Sequence, residues 1–355
     1  MMSANAQSSQ HAKLRLLLDN AGIYKKQHGY YTLVISLTTC MFALSVAGIV
    51  ITHNSLPFLL LVAICCAFVY VQFAFVIHDA VHDQITDSPR INRAIALAYG
   101  FAVWFSPSWW FLKHNHGHHL NPNHLQKDPD VKIPILAFTP LQAIRKWWLF
   151  KLIVRYQAIL FTPILFLFEA GNIRFNSGKH LLLYLLFGKK KKEVKYPFVE
   201  FVLFIAHPLL YFGLLFWLIE PWHAFWFIVV HQGLTGVYLG FVFATNHKGM
   251  PMADGTQGWD SLRRQVEPTR NILADGWLGW LINFLMGGLN YQLPHHIDSS
   301  IPRCNLRRAN EICRDFCKAR HIPYYEENVW QAYYRIFVFL HQIGKVLRTK
   351  TATSL

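Results

Sequence analysis

Two long stretches of the chain, residues 27–89 and 196–247, contain no Lys or Arg. The first is interrupted at Thr52-His53-Asn54-Ser55, which leaves apolar runs over residues 31–51 and 56–77. The second is interrupted at Glu220-Pro221-Trp222, which leaves runs over residues 197–219 and 224–245. Each run is close to the ~20 residues that carry a helix across ~30 Å of hydrocarbon. The pattern therefore predicts an all-α membrane protein with four transmembrane helices in two hairpins. Neither hairpin turn carries a positive charge, whereas Lys25, Lys26, Arg90, Arg93, Lys113, the lysines at 189–192 and Lys248 flank the runs. By the positive-inside rule the turns face outward, and both termini with all intervening segments are cytosolic.

Residues 156–173 are apolar apart from Glu169, and Arg155 and Arg174 flank them on both sides. This pattern predicts an interfacial or re-entrant helix rather than a fifth span. Shallow helices are expected over 92–105 and 276–285, where Trp and Phe mix with Gly and Pro. Residues 305–320 and 326–346 are amphipathic and form a helical cap. The whole reads as a single domain: a cytosolic amino-terminal segment (1–30), a first hairpin (31–77), a cytosolic and interfacial region (78–196), a second hairpin (197–246) and the cap (247–355).

Composition agrees with that picture. The chain has 355 residues, of which 53% are hydrophobic and 15% charged, against roughly 25% charged in a soluble domain. Its net charge of +15 follows from orientation and contact with anionic lipid, so no nucleic-acid partner is required. Six cysteines, with Cys65 and Cys66 adjacent, make no disulfide framework and suit reduced thiols. About 30 mostly polar residues before the first run argue against a signal peptide.

The chain holds 19 histidines, and many fall in three clusters. His78-Asp79-Ala80-Val81-His82 ends the second run, and histidines four apart share one helical face with Cβ atoms about 5–6 Å apart. Asp79 and Asp83 are candidates to accept the second imidazole N–H and fix its tautomer. The second cluster is His114-Asn115-His116-Gly117-His118-His119, and the third is Gln292-Leu293-Pro294-His295-His296. His247 ends the fourth run. All of these lie on the side that charge patterning makes cytosolic. His78, His82, His114, His118, His119, His247, His295 and His296 outnumber the four or so nitrogen ligands of one zinc, so two metals are implied. Imidazole alone suits Zn, Cu, Fe and Ni, so the ligands do not name the element. On a regular helix His114 lies one turn before His118 and shares its face, while His116 points elsewhere unless the backbone is irregular, which Gly117 makes possible. Spacing therefore assigns His114 as the ligand and His116 to the surroundings.

These clusters resemble the three histidine boxes of the integral-membrane fatty acid desaturases: His-Asp-x-x-His at the end of a span, a second box followed by Lys127-Asp128-Pro129-Asp130-Val131, and Gln-x-x-His-His. Trp259, Gln265, Thr269, Asn271, the stretch Gly288-Leu289-Asn290-Tyr291-Gln292 and Pro302-Arg303 extend the likeness over about residues 29–325. Gln292 at the head of the third box resembles the front-end branch and related acyl-CoA desaturases. The resemblance implies a non-haem di-iron centre held by the eight histidines, with Asp79, Asp83, Asn290 and Gln292 around it. It also implies O2 as co-substrate, and an acyl chain supplied from the membrane or an acyl carrier. The second box has three residues between its first His and the His pair where many relatives have two. The chain lacks the His-Pro-Gly-Gly of a fused cytochrome domain, so electrons are expected from a separate ferredoxin-like or cytochrome b-type donor with its reductase.

The chemistry agrees with the ligand set. An unactivated methylene has no acidic proton and no leaving group, so a metal–oxygen oxidant is needed to open it. A hydroxylase or ketolase on the same scaffold is the close alternative. A metal transporter is the more distant one: transporters bind cargo at the bilayer midplane, and the four runs carry few polar residues at mid-depth. The glycines at 233–240 lie inside an apolar run and make no nucleotide fingerprint.

Overall fold

A computed structural model describes residues 4–188 and 194–352. The lysines at 189–192 and Ser354 lie outside the described residues. In chain order the helices are α1 (Ala4–Asn20), α2 (His28–Thr52), α3 (Leu56–Val81), α4 (Pro89–Val103), α5 (Pro107–Trp110) and a π-helix over Phe111–His118. There follow α6 (Pro140–Arg145), α7 (Trp148–Arg155), α8 (Gln157–Ile164), a π-turn over Leu165–Glu169, α9 (Ala170–Phe187), α10 (Pro197–Leu218) and α11 (Pro221–His247). The last part holds α12 (Arg263–Val266), α13 (Gly276–Leu285), α14 (Gln292–Ile297), α15 (Leu306–Ala319) and α16 (Val329–Ala352). Two short strands, β1 (Asn271–Ile272) and β2 (Glu326–Glu327), pair in parallel. Helices α2, α3, α10 and α11 are long and apolar enough to cross a membrane.

The chain folds as two compact units. A membrane unit comprises residues 26–112 and 164–240, and a polar unit comprises residues 1–25, 113–163 and 241–355. In the membrane unit, 61% of the most apolar window of α3 is buried but only 11% of that of α2. Helix α3 is thus packed inside protein, and α2 leaves Leu33, Leu37 and Leu44 exposed, as suits a helix that faces lipid. Phe73 of α3 meets Phe42 of α2 and Tyr99 of α4, at ring distances of 5.4 and 4.4 Å. Pro107 starts a new helix after a 110° bend, with Ser106 capping it by accepting the Trp109 N–H.

Two expectations need correction. The helix anticipated over 156–173 does not stop there: α8, the π-turn and α9 carry a helical path on to Phe187. The spans also bury polar groups, with His207 and His231 near mid-depth and Gln72 nearer the histidine end of α3. Each has polar or aromatic neighbours within its own unit: Gln72 donates to the Tyr238 hydroxyl at 3.1 Å. Such internal pairing lowers the penalty that makes these residues rare in spans.

The glycines of α11 have a packing role. A Cβ built on Gly236 would sit 2.4 Å from the carbonyl oxygen of Leu165, and one on Gly233 would sit 2.3 Å from the Phe166 ring. The backbone of α11 thus passes directly against the π-turn, an approach open only to small residues. Gly236→Ala is expected to destabilise the detergent-purified protein by about 1–3 kcal/mol, the usual range for overpacking. Gly213→Ala, where the new Cβ meets nothing within 4 Å, should leave the thermal midpoint near its starting value. Equal midpoints for the two variants would refute the close crossing.

In the polar unit, Leu14 and Leu18 of α1 pack with Leu293 and Ile297 of α14 and Phe316 of α15 in one buried cluster. This packing fixes the short helix α14, which carries the third histidine cluster, on both sides. Arg270 adds a polar clamp. Its guanidinium donates to the carbonyls of Thr245 and Lys248 and pairs with Glu327 at 2.7 Å, which ties the end of α11 to β2.

Candidate metal centre

The second cluster lies on the π-helix, and this changes which histidines meet. The His119 N–H bonds to the His114 carbonyl at 2.9 Å, an i to i+5 step that stacks residues five apart rather than four. His114 Nε2 consequently lies 3.1 Å from His119 Nε2. Two imidazole nitrogens bound to one ion at ~2.1 Å also lie about 3 Å apart. The regular-helix expectation paired His114 with His118; the π-helix pairs His114 with His119 and leaves His118 to other neighbours. His114 is buried and His116 is exposed.

Within the polar unit the nitrogens of His114, His119 and His295 lie within 4.8 Å of one another, and so do those of His118, His247 and His296. His118 and His119 therefore belong to different groups, as adjacent residues that serve two ions would.

The second group is oriented by oxygen acceptors. His118 Nδ1 donates to Asp128 Oδ2 at 3.0 Å, His247 Nδ1 to the Pro268 carbonyl at 2.9 Å, and His296 Nδ1 to Gln265 Oε1 at 3.0 Å. An oxygen partner on Nδ1 fixes the proton there and leaves the Nε2 lone pair for a metal. His296 Nε2 is buried and has no hydrogen-bond partner among the described residues. Burial, reinforced by the neighbouring imidazoles, holds the His296 pKa well below its ordinary value. This keeps the ring in the neutral form that binds cations.

Asp128 is the hub of the second cluster. Fully buried, it accepts from His118, from the Asn123 N–H at 2.8 Å and from the Asp130 N–H at 2.8 Å. Burial opposes its ionisation, but the adjacent His118 outweighs that and keeps its carboxyl below the usual range. Asp130 in turn pairs with Lys113 at 2.6 Å. Asn123 takes a left-handed backbone (φ 52°), which Asn tolerates, and its side chain donates to the His247 carbonyl at 2.8 Å. Gln265 spans two clusters: it accepts from His296 and donates to the His119 carbonyl at 3.0 Å.

Gln292 Nε2 lies 3.1 Å from His247 Nε2, and its oxygen accepts from Asn246 at 3.0 Å. Asn290 is fully buried, and its carbonyl accepts the Ile272 N–H at 2.8 Å. In the membrane unit, the His78 and His82 rings lie 4.6 Å apart at the end of α3, and His78 Nδ1 is 3.4 Å from Asp79 Oδ1. Asp83 departs from expectation. It follows the helix in a left-handed turn (φ 53°) and accepts from Asn92 Nδ2 at 2.9 Å, so its carboxylate holds the α3–α4 turn rather than an imidazole.

The donor set fits metal ions. It consists of buried imidazoles, with Nδ1 anchored to oxygen in one group and facing nitrogens in the other. His114→Ala and His116→Ala separate the two readings of the second cluster. The first substitution should lower bound metal severely and the second should leave it within about twofold of normal, since a ligand's partners alone are worth 10–100-fold in affinity. Metal retained by His114→Ala and lost by His116→Ala would reverse the assignment.

Comparison with known proteins gives the same direction. Residues 54–328 match the family model described as fatty acid desaturase. An acyl-lipid (9-3)-desaturase of Physcomitrium patens is 26% identical over 350 residues, covering 96% of this chain and 64% of the relative. The Delta(6)-fatty-acid desaturase fat-3 of Caenorhabditis elegans is 26% identical over 354 residues, covering 96% and 76%. Delta(8)-fatty-acid desaturase 2 of Arabidopsis thaliana is 28% identical over 347 residues, covering 91% and 73%.

Proposed function

Because the chain belongs to the fatty acid desaturase family, we propose that it is an O2-dependent fatty acyl desaturase that removes two hydrogens from adjacent methylenes of an acyl chain. The single observation that carries this reading is the trio His118, His247 and His296, each anchored through Nδ1 to an oxygen. Such a trio offers three Nε2 lone pairs with no carboxylate among them. We assign His118, His247 and His296 to one iron, and His114, His119 and His295 to the other. His78 and His82 are further ligands on the strength of the three-box pattern. Iron held there would supply, with O2 and two electrons, oxidising power that no acid, base or nucleophile of this chain has.

The chain's own residues keep the imidazoles aimed. Asp128, Gln265 and the Pro268 carbonyl hold three Nδ1 protons, and neutral ligation leaves the ions their full positive charge. Electrons come from a separate donor protein, whose docking is favoured by a basic surface. The acyl chain is drawn from the bilayer or from an acyl carrier.

Profiling the lipids of a host that expresses the chain tests the reading. The expected product is an acyl chain with one new cis double bond. An acyl chain that has gained oxygen without losing two hydrogens would overturn it in favour of hydroxylation.

Orientation is part of the proposal, with the histidine clusters and both termini on the cytosolic face. Single cysteines placed at Ser55 and at Ser354 should be labelled from opposite sides of the membrane. Labelling from one side would contradict four spans.

A further inference from the structure

A second polar site lies in the membrane unit and uses no residue of the three boxes. His207 is ten residues into α10 and His231 ten residues into α11, about 15 Å along each helix and so near the middle of both spans. His231 Nδ1 is 2.8 Å from the Tyr211 hydroxyl, and Gln232 Nε2 is 3.1 Å from both. Tyr211 and Gln232 thus both engage His231 through Nδ1. His231 Nε2 is buried and has no hydrogen-bond partner among the described residues.

A chain of ring contacts leads from there to a cation. His231 packs on Tyr211, Tyr211 stacks on His207 and His207 stacks on Trp104, at 5.8, 5.7 and 5.9 Å. The Arg174 guanidinium lies 5.2 Å over the Trp104 ring. The electrostatic neighbours of Arg174 are the phenols of Tyr70 and Tyr211, and among the described residues no carboxylate pairs with it. Trp104 Nε1 is likewise buried without a partner. The cluster thus offers two donors, the Arg174 guanidinium and the Trp104 N–H, beside a buried imidazole nitrogen, and among the described residues no carboxylate pairs with them. An uncompensated Arg within a membrane protein marks a functional site by default, because leaving it unpaired is costly.

We propose that this cluster binds the carboxylate of a free fatty acid. A carboxylate is planar and singly charged, which suits one guanidinium through two parallel N–H bonds. A phosphate would bring up to two charges against one cation. Phe204, Phe212 and Phe227 border the rings of Trp104 and His231, as an acyl tail requires.

Equilibrium binding to the purified full chain in detergent tests the site, with oleate, methyl oleate and oleoyl lysophosphatidate as probes. Oleate should bind at least about tenfold more tightly than methyl oleate, the effect of one charge-assisted hydrogen bond. Arg174→Gln should weaken oleate by at least that factor and leave methyl oleate unchanged. Trp104→Phe keeps a ring but removes the indole donor, and should weaken oleate severalfold even if Arg174→Gln fails to fold. Equal affinity for oleate and methyl oleate would overturn the proposal. So would oleate binding that neither variant weakens, or lysophosphatidate binding as tightly as oleate through Arg174. Iron content measured on the same preparations keeps the outcome separate from the metal centre: lost oleate binding with intact iron concerns this site alone.

Discussion

An alanine at His296 is expected to lower desaturation by more than about 100-fold and to strip iron from the purified chain, with little change in thermal midpoint. His296 belongs to the group of His118 and His247 and also packs on His119 of the other group. Its ring lies 4.4 Å from His119, 5.0 Å from His118 and 4.9 Å from His247, so removing it takes a ligand from one group and a packing neighbour from the other. Loss of an outer hydrogen-bond partner alone costs 10–100-fold in affinity or activity, and loss of a ligand exceeds that. Elemental analysis of the purified variant, beside product formation in a host, checks the result. An active variant with full iron would exclude His296 from the centre.

Asp128→Asn should produce the second largest effect. The side chain keeps its shape, but one of two acceptor oxygens becomes an NH2. Three donors, from His118, Asn123 and Asp130, then compete for one oxygen, and the new amide can turn the His118 ring away from its ligating tautomer. Iron retention against a chelator should fall by about 10–100-fold, whereas Asp254→Asn, at an exposed turn, should leave retention unchanged. Equal retention in both variants would assign Asp128 to loop structure alone.

The spans were legible in the sequence because charge is excluded from hydrocarbon: runs at 31–51 and 56–77 became His28–Thr52 and Leu56–Val81. The helix at 276–285 matched the apolar stretch residue for residue. Backbone irregularity was not legible. Gly117 permits an irregular backbone, but nothing in Phe111–His118 specifies a π-helix, since five-residue stacking has no periodic signature distinct from chance in a segment this rich in His. The pairing of His114 with His119 rather than His118 follows from that backbone alone. Asp128 and Gln265 were visible as motif residues, but their hydrogen bonds to His118 and His296 depend on contacts across 10 and 31 positions. No local pattern encodes such contacts. Likewise His207 and His231 read as isolated residues in apolar runs: Tyr211 lies one turn after His207 on the same helix, and only the packing of α10 on α11 brings His231 to it.

The central claim is a dinuclear iron centre held by histidines. Metal analysis of the purified, active chain, combined with Mössbauer spectroscopy of the iron-57-enriched protein, tests it most directly. The account predicts two iron ions per chain in nitrogen-rich, coupled sites. An active preparation that holds one metal per chain, or holds zinc in place of iron, would contradict it.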